Sequence, residues 1–252
     1  MPSEIRLYGL DGIPEVQPGD DLVELIATAL SESDLTPTND DVLVVTHKVV
    51  SKSEGRLVDL ATIEPSQFAL AWAAQWDKDA RQVEVVLREA HRIVRMDHAV
   101  MICETRHGFI CANAGVDASN VPGGEIVCLL PLDPDASARA IREGIRERYG
   151  VAPAVIITDS FGRPWRRGIV NFAVGIAGMS PFADYRGVTD PYGYDLRVSV
   201  MSVADELAAA AELLAGKVGA RPVALIRGYE WVRDDEATAR DLVMDPERDM
   251  FR

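Results

Sequence analysis

"VIITDSFGRPWRRG", residues 155–168, carries an apolar, β-branched run into Asp159 and Ser160, then into Arg163, Trp165, Arg166 and Arg167. A buried strand that stops at a carboxylate and a hydroxyl presents hard oxygen ligands at its end. The glycine, proline and arginines beyond it suit a loop that meets something anionic.

Working outward, the segment before it, "DPDASARAIREGIRERYG", reads as an amphipathic helix with Ala138, Ile141, Ile145 and Tyr149 on one face and Gly150 as its stop. After it come the apolar "NFAVGIAGMS", the turn-rich "YRGVTDPYGYDL" and "RVSVM", which is expected to continue the sheet. Ser202 and Asp205 have the spacing of a capping box at the head of an alanine-rich helix that ends near Gly216. "PVALIRG" is the last expected strand, and residues 231–252 form a charged tail. Toward the N-terminus, "DDLVELIATALSES" is the first helix, and "VLVVT" is a strand expected to deliver Lys48 and Lys52 to one sheet edge. Residues 66–90 read as a helix in two pieces, and residues 93–130 as a meander of short strands.

A chain of 252 residues can bury a sizeable core, and no separate accessory module is expected. Hydrophobic residues make up 48% and charged residues 26%, which suits a soluble globular protein. The net charge of −14 argues against an extended surface for nucleic acid or anionic membrane, so any anion must be met locally. The N-terminus lacks a basic start and a long apolar run, and a cytoplasmic location is expected. Cys103, Cys111 and Cys128 sit in apolar stretches without a C-x-x-C pair and read as buried thiols. The four histidines lack zinc-type spacing.

Three segments place polar groups where an apolar strand breaks off: His47-Lys48 with Lys52, Asp117 with Asn120, and Asp159-Ser160 ahead of the arginines. Taken singly each has a plain explanation, since Asp and Asn form turns, a lysine is often just solvated, and Trp165 can cover a core. Together, two carboxylates from different strands can hold Mg²⁺ or Mn²⁺, and the nearby cations can neutralise phosphates. There is no G-x-x-x-x-G-K-[ST], G-x-G-x-x-G, G-x-S-x-G or H-E-x-x-H, so P-loop, Rossmann, serine-hydrolase and zinc-protease sites have no anchor. On residues alone the reading stops at metal-dependent phosphate chemistry.

"GIPEV", "VLVVTHKVVSKSEGRLVDL", "ANAGVDASNV", "ITDSFGRPWRRGIVNFAVGIAG", "DYRGVTDPYGYDL", "SVADELAAAAELLAGK" and "PVALIRG" stand in the order seen in coenzyme F-420:L-glutamate ligases, the gamma-glutamyl ligases of deazaflavin biosynthesis. The chain resembles that family from about residue 7 to residue 230. The resemblance implies an α+β fold of mixed and antiparallel sheets with packed helices, neither P-loop nor Rossmann, in a single unit over residues 1–252. It also implies a homodimer, GTP as co-substrate, and Mg²⁺ or Mn²⁺, two ions, with K⁺ as a further candidate. By the same resemblance Ile13, Pro14, Glu15, Val16, His47, Lys52, Asn120, Gly216 and Lys217 contact the nucleotide, and Asp117, Asp159 and Ser160 hold metal. Lys52, Arg163 and Arg166 offset charge that develops during transfer.

The chemistry so implied is an attack of the acceptor carboxylate on the γ-phosphate of GTP, followed by displacement of phosphate by the amine of L-glutamate. The same ligation on another acceptor such as a folate, a metal-dependent phosphohydrolase, and a nucleotide-binding regulator without turnover are the competing readings. No partner beyond GTP, L-glutamate, the deazaflavin precursor and a second copy of the chain is expected, and neither nucleic acid nor membrane.

Overall fold

Residues that alternate along the central strands are apolar on both sides, which requires a cover of helices on each face. Leu43, Val45, Val155, Ile157 and Leu225 face one layer, while Val42, Val44, Ile156, Ala224 and Ile226 face the other, all nearly inaccessible to solvent. The computed structural model describes residues 4–121 and 123–250.

In chain order the elements are β1 (Arg6–Gly9), α1 (Leu22–Glu32), β2 (Val42–Thr46), α2 (His47–Ser53), β3 (Leu57–Asp59), α3 (Gln67–Trp76), α4 (Ala80–Glu89), β4 (Ala90–Asp97) and β5 (Val100–Thr105). They continue with β6 (Ile110–Ala112), β7 (Ile126–Cys128), α5 (Pro134–Tyr149), β8 (Ala154–Arg163), β9 (Arg166–Ala177), β10 (Phe182–Asp184), β11 (Val200–Ser202), α6 (Val203–Ala215) and β12 (Val223–Arg227). The central sheet runs β1-β12-β2-β8-β9, with β2 and β8 parallel and the other neighbours antiparallel. Helices α1 and α5 pack on one face through Ile26, Leu30, Ile141 and Ile145, and α6 packs on the other through Leu207 and Ala211. A third cluster joins α3 and α4 to the antiparallel meander β4-β5-β6. This mixture of sheets and packed helices is the expected α+β class. Among the described residues no helix is long and apolar enough to cross a membrane.

The head of α1 and the end of α5 show the residues that capping chemistry favours. Asp21 accepts from the amides of Val23 and Glu24 at the head of α1, and Gly150 closes α5 with φ of +71°. All three cysteines are buried thiols, as expected.

Four local expectations are corrected. "HKVVSKS" does not extend the strand: with Val49 and Val50 buried it winds into α2, and packing overrides the β preference of its valines. Lys48 and Lys52, four residues apart, therefore share a helix face rather than a sheet edge. "RVSVM" does not join the central sheet; its half-polar alternation suits a two-stranded ribbon, β11 against β10. "EIVCLL" pairs as β7 with β3 rather than with the meander. Ser202 and Asp205 form no capping box, because the Asp205 carboxylate is spent on the amide of Ala173 at a bulge in β9, 2.9 Å away, and on the Ser202 hydroxyl at 2.8 Å.

The first part of the charged tail is tied to the fold. Trp231 Nε1 donates to the Asp40 carbonyl, Arg142 pairs with Asp235 at 3.1 Å, and the Ala239 amide donates to Asp135 at 3.0 Å. Residues 251 and 252 lie outside the described residues.

Candidate active site

Parallel neighbours carry their C-terminal ends to the same sheet edge, and β2 with β8 is such a pair. Thr46 lies opposite Thr158, so His47, which opens α2, and Asp159, in β8, are the next residues out along the two chains. His47 Nε2 stands 3.2 Å from Asp159 Oδ1, with the ring 2% exposed, close enough for an ion pair but off the line of a hydrogen bond.

Over this edge opens a cleft of about 560 Å³. The loop Ile13, Pro14, Glu15 and Val16 forms one wall, the first turns of α2 with His47, Lys48 and Lys52 another, and Asn120 a third. Thr158, Asp159, Ser160 and Asn171 form the floor, and Glu212, Gly216 and Lys217 close it from the end of α6. Every expected nucleotide contact therefore borders one cavity.

The charges inside are paired across segments far apart in sequence. Lys52, buried in α2, donates to Glu15 Oε1 at 2.5 Å. Lys48 reaches Asp117 Oδ2 at 2.7 Å and both oxygens of Ser119. Burial pushes the Asp117 carboxyl up, but the bonds from Lys48 and Ser119 outweigh it and hold the group below its ordinary value. Asn120, in the left-handed region at φ of +54°, donates to the Lys217 carbonyl at 3.4 Å. Lys217 Nζ in turn donates to Ser160 Oγ at 3.0 Å. Burial first and the Asp159 carboxylate charge second push the Cys111 thiol up, which disfavours its thiolate.

Arg163 and Arg166 are not brought to this cleft. The expected arginine loop is a β-hairpin, in which Arg163 and Arg166 pair across its tip and Arg163 Nη2 donates to the Arg167 carbonyl at 3.3 Å. Trp165 sits at that tip, 84% exposed with φ of +55°, and so does not cover the core.

The expected metal donors differ in what they still offer. Asp159 Oδ1 accepts from the Ser160 amide at 2.7 Å, while among the described residues Oδ2 accepts no hydrogen bond, which leaves one hard oxygen for a cation. Asp117 has both oxygens engaged, Oδ1 by the Ser119 amide and Oδ2 by Lys48 and the Ser119 hydroxyl, and it does not line the cleft. Ser160 already carries the Lys217 ammonium. No group of three or more His, Cys, Asp or Glu side chains is arranged to hold a metal among the described residues. The donor set fits one hard cation through Asp159 and does not fit two.

Sequence reading missed Asn171 and Glu212. Asn171, 4% exposed in β9, gives Nδ2 to Glu212 Oε2 at 3.1 Å and to Thr158 Oγ1 at 3.3 Å, and its Oδ1 accepts from Ser160 Oγ at 2.7 Å. The available signal was a lone amide inside the apolar run "IVNFAVG".

The family described as F420-0:Gamma-glutamyl ligase matches residues 12–228. The chain belongs to this family. A coenzyme F420:L-glutamate ligase of Methanothermobacter thermautotrophicus is 44% identical, over 98% of this chain and 99% of its own length. Another, of Methanopyrus kandleri, is 46% identical over 94% of each chain, and one of Haloarcula marismortui is 41% identical over 98% of this chain and 96% of its own. All the residues that line the cleft of this gamma-glutamyl ligase family member fall within the matched span.

Proposed function

We propose that this chain is a GTP-dependent ligase that joins L-glutamate to the carboxylate of the deazaflavin precursor of coenzyme F-420, with further γ-linked glutamates added in turn. The reading is supported by the family match together with one observation: the loop at Ile13–Val16, Lys52, Asp159-Ser160 and the end of α6 all border one cleft.

The acceptor carboxylate attacks the γ-phosphorus of GTP, and GDP leaves. The amine of glutamate then attacks the acyl carbon, and phosphate leaves with loss of a proton from nitrogen. No protein nucleophile is required; the chain positions reactants and neutralises charge. Lys52 exchanges Glu15 for a phosphate oxygen, Asn120 and the Gly216-Lys217 segment hold the nucleotide, and His47 steadies Asp159. Mg²⁺ or Mn²⁺ held through Asp159 would supply charge neutralisation at the phosphates. Asp117 joins the same ion only where Lys48 yields it.

We assign the whole chain to one ligase unit that acts in the cytoplasm as a homodimer. The exposed hairpin tip, with Trp165 and Ile169, is the dimer surface, and Arg163 and Arg166 there act outside their own chain's cleft. Mass spectrometry of the precursor after incubation with the protein, GTP, Mn²⁺ and L-glutamate tests the activity. Growth by glutamyl units only when glutamate is present is expected; an unchanged precursor with phosphate released in the absence of glutamate would replace the ligase by a hydrolase.

A further inference from the structure

The hydroxyl of Ser160 has its one proton committed. It donates to Asn171 Oδ1 at 2.7 Å, and the Asn171 amide cannot turn over, because its nitrogen is held by Glu212 Oε2 and Thr158 Oγ1. A reversed amide would set its oxygen against the Glu212 carboxylate. Ser160 Oγ therefore shows only lone pairs to the cleft and can accept but not donate. Such an oxygen calls for a cation, and the Lys217 ammonium, 3.0 Å away, fills that place. The lysine is delivered there by its backbone: Gly216 ends α6, and the Lys217 carbonyl accepts from Asn120 on the opposite wall. A divalent ion on the same hydroxyl would sit against the ammonium, with like charges sharing one acceptor.

We propose that Lys217 takes the place of a second metal ion: the chain binds GTP with one divalent cation, and the Lys217 ammonium on Ser160 provides the other positive charge to the phosphates. An ammonium has three donors, and one on Ser160 leaves two for phosphate oxygens. Unlike an exchangeable ion, it stays with the protein at any metal concentration. The inference rests on the ligase reading and puts one ion and an ammonium in place of the two ions expected.

The test counts Mn²⁺ on the full chain by electron paramagnetic resonance, in the presence of the β,γ-imido analogue of GTP. The wild type is expected to hold about one Mn²⁺ per chain and Lys217→Glu about two, the second showing coupling to the first. Adding Ser160→Ala to Lys217→Glu is expected to return the count to about one. Lys217 is exposed, so the variant keeps its fold, which circular dichroism verifies. Two coupled ions in the wild type, or no gain in Lys217→Glu, would overturn the proposal while leaving ligation intact. No Mn²⁺ in any form would overturn both the proposal and the metal-dependent ligase reading, and the glutamate-dependent mass change separates the two failures.

Discussion

His47 Nε2 lies 3.2 Å from Asp159 Oδ1, each the first residue beyond a matched pair of threonines on the parallel strands β2 and β8. The Ser160 amide donates to that same oxygen, while among the described residues no donor reaches the other, and Asp159 lines the cleft. Asp159→Asn keeps the acceptor for the Ser160 amide and removes the charge. It is expected to lower kcat by at least about 100-fold with the melting temperature unchanged. Full activity with normal metal dependence would remove Asp159 from the site.

Lys52 is buried and paired with Glu15, so its charge is already desolvated when nucleotide arrives. Lys52→Met is expected to raise the KM for GTP by about 10–100-fold, the worth of a hydrogen bond to a charged group. Steady-state kinetics with GTP varied at saturating glutamate measures it. An unaltered KM would assign Lys52 to holding the Ile13–Val16 loop alone.

Gly175 in β9 lies under the first turn of α5, where an added Cβ would meet the Pro134 carbonyl oxygen at 2.4 Å. Backbone cannot yield as a side chain can, so Gly175→Ala is expected to destabilise the fold by about 1–3 kcal/mol. Denaturant unfolding reads this directly, and a loss well under that range would show that α5 shifts at little cost.

Burial holds the Asp205 carboxyl above its ordinary value of 3.8, against the bonds from the Ala173 amide and Ser202 that lower it. The folded state thus favours the protonated form more than the unfolded state does. Relative to Asp205→Asn, the wild type is expected to lose stability as pH rises from the ordinary value through the raised one, and to run parallel above it. Melting curves of both proteins across that window check the sign; a wild type that gains stability relative to Asp205→Asn as pH rises would reverse it.

Trp165 is 84% exposed at the hairpin tip. Trp165→Ala is expected to change unfolding free energy by no more than about 0.5 kcal/mol, while weakening self-association in sedimentation. A large loss of stability would restore a covering role to this side chain.

Much of this was legible where one short-range rule governs. The face of α5 and the stop at Gly150 follow from period and capping, and Asp159 was picked out by the polar pair in an apolar strand, although β8 continues past that pair to Arg163. What escaped depends on partners far along the chain. Lys48 and Lys52 were expected at one sheet edge after the strand "VLVVT", and only the burial of Val49 and Val50 makes that segment a helix. The capping spacing of Ser202 and Asp205 was real, but a bulge in β9 competes for the carboxylate. The arginines read as a phosphate loop because sequence does not show that β8 and β9 run past Ser160 to a distant tip. Asn171 stayed hidden because its role requires Ser160 and Glu212, which only the fold brings together.

The position of β12 between β1 and β2 fixes when the central sheet can assemble. During synthesis β1 emerges first yet has no neighbour until Val223–Arg227 arrives, and β2 keeps an open edge over the same interval. Closure of that gap joins segments more than 170 residues apart, a contact whose loop entropy slows folding. A chain released before residue 223 would expose the unpaired edge of Val42–Thr46, an apolar, β-branched row suited to pairing with other molecules. The late strand is thus a latch, and a ribosome stalled short of it would release an aggregation-prone nascent chain.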